Sequence, residues 1–347
     1  MFDSAEWPIW LNIAVLVAAA TGVWLAGTNL TRYVDEIANR TGLGHAFAGM
    51  ILLGGMTSLA EIATVTTSSA IGNAPLAVNT LLGSSAINVV LLAIADGIYG
   101  RGALTSAVAG PATLFQGTLG MMAMAIVATG IAAGELAFGP VGVWSTVLTV
   151  FCFAALWLAS RYDARRTWTP ANDQVSIAAT GAREKRKSAH STSALIVRTA
   201  IAGFVICVAG FFLSQSADGM ATQTGLGAGI IGLLLVGFTT SLPEISSITE
   251  AVRLKNYELV LGNIFGTNLF NLTLVFLADA VYTGEPVLKT AGAFEAVAAL
   301  LALLLTGVFV LGLLERRDRT IWRLGYDSAA AIILFALGLL VLFPLSG

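Results

Sequence analysis

The sequence predicts an all-α polytopic membrane protein, with ten transmembrane helices forming two inverted-topology five-helix repeats. Three observations predict it. Only 11% of the 347 residues are charged, 56% are apolar, and the mean hydropathy is +0.84. Apolar runs long enough to cross a bilayer recur along the chain. The two halves match each other without a gap at an offset of 183 residues.

Soluble domains carry about 25% charged residues, so so few charges cannot cover a water-facing surface. Lipid offers the backbone no hydrogen-bond partners, which leaves helices or a closed barrel as spanning elements. The unbroken apolar runs at 296–314 and 329–345 exclude the alternation of a barrel. Spans are expected near 9–31, 42–70, 75–96, 103–133, 140–160, 194–216, 225–252, 257–282, 290–314 and 327–345. Each approaches or exceeds the roughly 20 residues needed for about 30 Å of hydrocarbon. The first run follows Asp3 and Glu6 instead of a basic segment, so it reads as a span and not as a signal peptide. Cys152 and Cys207 fall inside spans without metal-ligand spacing and read as small packed residues.

Charge supplies an independent check on this map. With 161–193 placed in the cytoplasm, every Lys and Arg except Lys289 falls on the cytoplasmic side, 18 being the total. Basic residues set orientation in this way during insertion, and one extra or missing span would scramble the partition. Both termini are therefore expected outside, in what reads as the plasma (cell inner) membrane. The segment 161–193, rich in Ser, Thr, Ala, Arg and Lys, reads as a solvated linker. It separates an N-terminal five-helix repeat (1–160) from a C-terminal one (194–347).

Within the halves, 41–96 aligns with 224–279. Thr41-Gly42-Leu43-Gly44 meets Thr224-Gly225-Leu226-Gly227. Thr57-Ser58-Leu59-Ala60-Glu61-Ile62 meets Thr240-Ser241-Leu242-Pro243-Glu244-Ile245, and Asn88 meets Asn271. The shared residues are mostly Gly, Ser, Thr, Asn and Glu, so common apolar composition does not explain them. Five spans per half is an odd number, so the second copy enters the membrane upside down. That plan typifies secondary transporters, whose sites lie near the midplane where the copies meet.

Glu61 and Glu244 sit midway along spans 2 and 7. An ionisable group there costs about 2.5–3.5 kcal/mol on the insertion scale. Protonation or a buried base would relieve that cost, but no Lys, Arg or His lies at matching depth. A bound cation is the remaining way to keep both ionised. Thr57 and Ser58 precede Glu61 by four and three residues, as Thr240 and Ser241 precede Glu244, which places each trio on one helix face. Ser84 and Asn88 are i, i+4 on span 3, as are Thr267 and Asn271 on span 8. Such an all-oxygen set of formal charge −2 suits a hard cation like Ca²⁺, and the lack of Cys and His argues against zinc and softer metals. Gly54-Gly55, Gly237 and Pro243 suggest that the helices break beside the glutamates, freeing carbonyls as further ligands.

These residues resemble the α-repeats of the Ca²⁺/cation antiporter superfamily, and most nearly the membrane domain of sodium/calcium exchangers. The resemblance rests on Thr240-Ser241-Leu242-Pro243-Glu244 and on Gly262-Asn263-Ile264-Phe265-Gly266-Thr267-Asn268-Leu269-Phe270-Asn271, together with their first-half counterparts. It implies alternating access, with Glu61 and Glu244 as central Ca²⁺ ligands. Thr57, Ser58, Thr240 and Ser241 would line the site, and Ser84, Asn88, Thr267 and Asn271 would complete the Ca²⁺ and Na⁺ positions. Four departures stand out, one being Ser85 where the second copy has Asn268. Ala60 replaces a proline, so the first copy should be less unwound; Asn79-Thr80 replaces Gly-Asn; and position 271 is Asn where several exchangers carry an acid.

Na⁺/Ca²⁺ exchange with Ca²⁺ extrusion is the expected function, with Ca²⁺/H⁺ exchange as the alternative, because two protons would also release a divalent ion. A passive channel fits less well. No enzyme activity is expected, since the His-Glu-x-x-His pattern is absent and the only histidines are His45 and His190. His45 reads as interfacial. No cofactor, nucleic acid or protein partner is expected beyond the transported ions and the lipid bilayer. Asp96 and Asp279 are expected to reach water at the ends of spans 3 and 8, and Glu295 to snorkel to the interface.

Overall fold

A computed structural model of the chain describes residues 6–41, 48–100, 102–108, 111–163, 191–224, 233–234 and 237–345. The expectations for 42–47 with His45, for His190 and most of the basic linker, and for most of 225–236 lie outside them. The described chain is almost entirely helical. Helix α1 (Ile9–Thr41) leads to a π-helical turn (Gly49–Leu53), then α2 (Gly54–Thr57), α3 (Leu59–Ala70), α4 (Ala74–Tyr99) and α5 (Pro111–Ala133). A two-stranded hairpin, β1 (Ala137–Phe138) and β2 (Val141–Gly142), precedes α6 (Val143–Asp163). The second half repeats the order: α7 (Thr192–Thr224), α8 (Gly237–Thr240), α9 (Leu242–Arg253), α10 (Tyr257–Val281), the short α11 (Val287–Thr290) and α12 (Ala293–Glu315). It closes with β3 (Thr320–Ile321), β4 (Leu324–Gly325) and α13 (Tyr326–Leu342).

Among the described residues, α1, α4, α5, α7, α10, α12 and α13 are seven helices long and apolar enough to cross a membrane, and α6 is a shorter apolar one. Their outer faces carry the side chains that lipid requires: Trp10 and Leu25 on α1, Phe153 and Trp157 on α6, Phe204 on α7, and Leu337 and Leu340 on α13 are all exposed. Helices α4 and α10 are buried along most of their length and form the centre. Each is started by an asparagine at the same repeat position. Asn73 Oδ1 accepts from Leu76 N at 3.1 Å and Asn256 Oδ1 from Leu259 N at 3.4 Å, satisfying an amide that a helix start leaves open. Helices α1 and α7 each run 33 residues, beyond their expected limits of 31 and 216. At 1.5 Å per residue they reach about 50 Å, longer than the hydrocarbon is thick. The extra turns of α1 carry polar residues, and there Arg32 pairs with Glu250 of α9 at 2.7 Å.

Expected spans 2 and 7 are not continuous helices. The first breaks at Ser58 (φ −68°, ψ 0°) and the second at Ser241 (φ −85°, ψ 3°). Pro243 opens α9, but the break after α2 is just as sharp with Ala60 in the matching place, so the expectation of a less unwound first copy is corrected. Local hydroxyls account for it. Thr57 and Ser58 both donate to Gly54 O, at 3.1 and 2.9 Å, and Thr240 donates to Gly237 O at 3.2 Å. Side-chain donors of this kind compete with the regular ladder. The same two carbonyls also accept the main-chain amides of Ser58 and Ser241.

The broken helices lie tight against the long ones. A Cβ on Gly27 of α1 would collide with Ser246 Oγ of α9, and one on Gly210 of α7 would stand 2.5 Å from Ala60 Cβ of α3. Only glycine permits these two approaches, which occupy the same repeat position in the two halves.

Three acidic residues sit differently from the expectation. Asp96 and Asp279 do not reach water; they are 0% and 1% exposed. Asp96 accepts from Leu104 N at 2.7 Å and from Gly325 N at 2.6 Å. Asp279 accepts from Val287 N at 2.6 Å, Gly142 N at 2.8 Å and Ser145 Oγ. Each carboxylate thus ties the end of a central helix to the hairpin of the opposite half, satisfying backbone amides that irregular segments leave open. Glu295 does not snorkel either. It is buried, accepting from Gly292 N at 2.7 Å as a helix cap and from Asn79 Nδ2 at 2.9 Å. Replacing Asp279 by Leu strands two amides and a hydroxyl, and is expected to destabilise the fold by at least about 3 kcal/mol. An unchanged midpoint of thermal unfolding in detergent would contradict this.

Candidate cation site

The ten residues singled out from the sequence all have 0% exposure. Thr57 closes α2, Ser58 occupies the first break and Glu61 lies in the first turn of α3; Thr240, Ser241 and Glu244 hold the same places around the second break. Helix α4 supplies Ser84 and Asn88, and α10 supplies Thr267 and Asn271.

Contacts within and across the halves draw them together. Ser84 Oγ donates to Glu61 Oε1 at 2.9 Å and lies 3.2 Å from Ser241 Oγ. Asn271 Nδ2 donates to the same Ser84 Oγ at 3.4 Å. Thr57 Oγ1 and Thr267 Oγ1 are 3.4 Å apart. The charge of Glu244 acts on Glu61, and Thr57 lies beside Glu244. Asn88 faces a different neighbour, Asn268 of α10, at 3.1 Å.

The polarity of these bonds defines the chemistry. Most hydroxyl protons point away from the centre: Thr57, Ser58 and Thr240 donate to backbone carbonyls, and Thr267 donates to Asn263 Oδ1 at 3.4 Å. Their lone pairs are left over. Among the described residues, Glu61 Oε2, both Glu244 oxygens, Asn88 Oδ1 and Asn271 Oδ1 are buried without a hydrogen-bond partner. All five are acceptors. An orphaned buried acceptor costs about 1–3 kcal/mol, and more when charged, so the cluster is complementary to a cation or to protons. Hard cations take six to eight oxygens, and this inventory of carboxylates, amide carbonyls and hydroxyls can supply them without Cys or His. Cys152 and Cys207 are free cysteines.

Two asparagines were missed from the sequence. Asn263 Nδ2 donates to Ser247 Oγ at 2.7 Å, and through Oδ1 it takes the Thr267 proton. Asn268 bridges α10 and α4. The signal was present, since Asn263 and Thr267 are i, i+4, and both asparagines stand in the stretch that carries the resemblance.

The family described as Sodium/calcium exchanger protein matches the chain over residues 11–168 and 194–345. The chain belongs to the sodium/calcium exchanger family. The inner membrane protein YrbG of Escherichia coli K12 is 25% identical to this exchanger-family chain over 277 residues, covering 79% of it and 80% of YrbG. The sodium/calcium exchanger MaX1 of Methanosarcina acetivorans is 35% identical over 74 residues, 21% of each chain. The solved structure of the sodium-calcium exchanger NCX_Mj soaked with Na⁺ and Sr²⁺ superposes with a TM-score of 0.67 at 16% identity, over 96% of this chain and 99% of the other. The exchanger fold is therefore shared. With its apolar spanning helices and inner-membrane relative, the chain is an integral membrane protein.

Proposed function

We propose that the chain is a secondary active antiporter that extrudes Ca²⁺ in exchange for Na⁺ by alternating access. The observation that carries the proposal is the cluster of five buried, unpartnered acceptor oxygens, three carboxylate and two amide, contributed by both halves. Glu61 and Glu244 are the central ligands. Thr57, Ser58, Thr240 and Ser241 line the site, and Ser84, Asn88, Thr267 and Asn271 complete it. Ca²⁺ and Na⁺ are substrates of these oxygens, and the proposal includes no resident cofactor, catalytic step or protein partner. The recurrence of the same elements at one offset supports two five-span repeats, 1–160 and 194–347, inverted with respect to each other. The broken segments around the glutamates, together with α6, bring the span count to ten. Both termini lie outside, and 161–193 is cytoplasmic, as the charge partition requires.

Ca²⁺/H⁺ exchange is the alternative reading. What favours it is that position 271, like position 88, is a neutral Asn, so the site holds only two charges, which two protons would cancel. The test is Ca²⁺ uptake into proteoliposomes under imposed Na⁺, H⁺ or K⁺ gradients. Na⁺-loaded vesicles are expected to accumulate Ca²⁺, while equal K⁺ or pH gradients drive none. Uptake that follows pH without Na⁺ would select the proton antiporter. Uptake that neither saturates nor shows counterflow would select a channel.

A further inference from the structure

We infer that Asn268 is a positioning residue that holds the Asn88 amide with its carbonyl oxygen turned to the cation site. The inference rests on the cation-site reading above, and it begins from an atom whose polarity is fixed. A backbone carbonyl can only accept, and Ser85 O accepts from Asn268 Nδ2 at 3.0 Å. With its NH₂ committed there, Asn268 presents Oδ1 to α4, where it receives Asn88 Nδ2 at 3.1 Å. Asn88 must therefore point its NH₂ at Asn268 and its Oδ1 elsewhere. That Oδ1 is one of the orphaned acceptors, on a side chain with 0% exposure.

Neither amide can be reversed alone, because that would set NH₂ against NH₂ or oxygen against oxygen. Reversing both sets the Asn268 carbonyl against that of Ser85. In a site for cations the distinction is decisive, since a reversed Asn88 would offer N–H donors in place of a ligand oxygen. Asn271 is held by side chains instead, its NH₂ lying beside the Glu61 carboxylate. Its NH₂ donates to Ser84 Oγ at 3.4 Å, a hydroxyl that can rotate. The relay also exists once and not twice. The position matching Asn268 in the first half is Ser85, whose hydroxyl has no hydrogen-bond partner among the described residues. The site therefore carries one preset amide oxygen and one conditional one.

The test is a double-mutant cycle between Asn268→Ala and Asn88→Asp. The half-saturating Ca²⁺ concentration and the maximal rate are read separately in proteoliposomes, alongside Ca²⁺-dependent thermal stabilisation in detergent. Residues that orient metal ligands are worth about 10–100-fold in affinity. Asn268→Ala is accordingly expected to raise half-saturating Ca²⁺ at least about tenfold, with a much smaller change in maximal rate. A carboxylate at position 88 presents oxygen in either orientation, but it sets one oxygen against Asn268 Oδ1. In the Asn88→Asp background the same substitution removes that repulsion and should leave half-saturating Ca²⁺ unchanged or lower it. Equal shifts in both backgrounds would mean that Asn268 only packs, and would overturn the inference. Should Asn268→Ala not fold, Asn268→Ser, which places the first-half residue there, carries the same cycle. A wild-type protein that shows neither Ca²⁺ flux nor Ca²⁺ stabilisation would instead refute the functional reading, and this inference with it.

Discussion

Glu244→Gln and Glu61→Gln are each expected to reduce Na⁺-gradient-driven Ca²⁺ uptake at least about 100-fold. Glutamine keeps the shape of the side chain but exchanges one oxygen for an NH₂. At position 61, Ser84 already donates to Oε1, so the oxygen of glutamine is drawn to Ser84 and the NH₂ falls where Oε2 stood without a partner. At position 244 neither oxygen has a partner, and either orientation places a donor among acceptors. Losing one charge and one ligand of a desolvated ion pair is worth about 3 kcal/mol or more, which is the stated fold-change. A folding role predicts a different pattern. Two buried carboxylates that repel each other destabilise the empty protein, so either glutamine variant should unfold in ion-free detergent at the wild-type temperature or above. The wild type should gain about 2.7 kcal/mol at Ca²⁺ a hundredfold over its dissociation constant, and the variants should gain almost nothing. Wild-type uptake by either variant would remove these residues from the site.

The outcome bears on what a sequence can disclose. The seven long apolar helices were legible because lipid demands long apolar runs. The glutamates were legible as a contradiction, two acids in oil without a base, repeated with the same hydroxyls before each. The position of the helix breaks was half legible. Pro243 pointed to one, but the break at Ser58 has no proline and arises from hydroxyls folding back on Gly54 O. Position along a span does not determine depth, and Asp96, Asp279 and Glu295 are buried. The two aspartates accept from backbone amides of hairpins and short turns 8–229 residues away, and Glu295 accepts from Gly292 N and the Asn79 amide. A residue type does not encode which irregular segment folds back over it. Asn268 escaped for a related reason. Its role depends on which way an amide points, and that is set by a main-chain carbonyl identical in every residue.

Ser84 gives the sharpest test of how the halves communicate, because one hydroxyl touches three others. It donates to Glu61, accepts from Asn271 and lies against Ser241. Ser84→Ala is expected to raise half-saturating Ca²⁺ by about 10–100-fold, through one lost ligand oxygen and two released neighbours. Glu61 loses the Ser84 donor, and Asn271 loses an acceptor that fixes its NH₂. Asn271→Asp should then recover part of the loss, since a carboxylate presents oxygen in either orientation. Ser85→Ala, one residue along and equally buried, is the matched control. Its hydroxyl has no hydrogen-bond partner among the described residues, and the carbonyl that holds Asn268 belongs to the backbone and survives the substitution. Its half-saturation should stay within about twofold of wild type. If the two alanine variants behave alike, Ser84 is a packing residue and the two halves meet the ion independently. If only Ser84→Ala is impaired and Asn271→Asp restores it, a single proton on α4 sets which oxygens both halves offer.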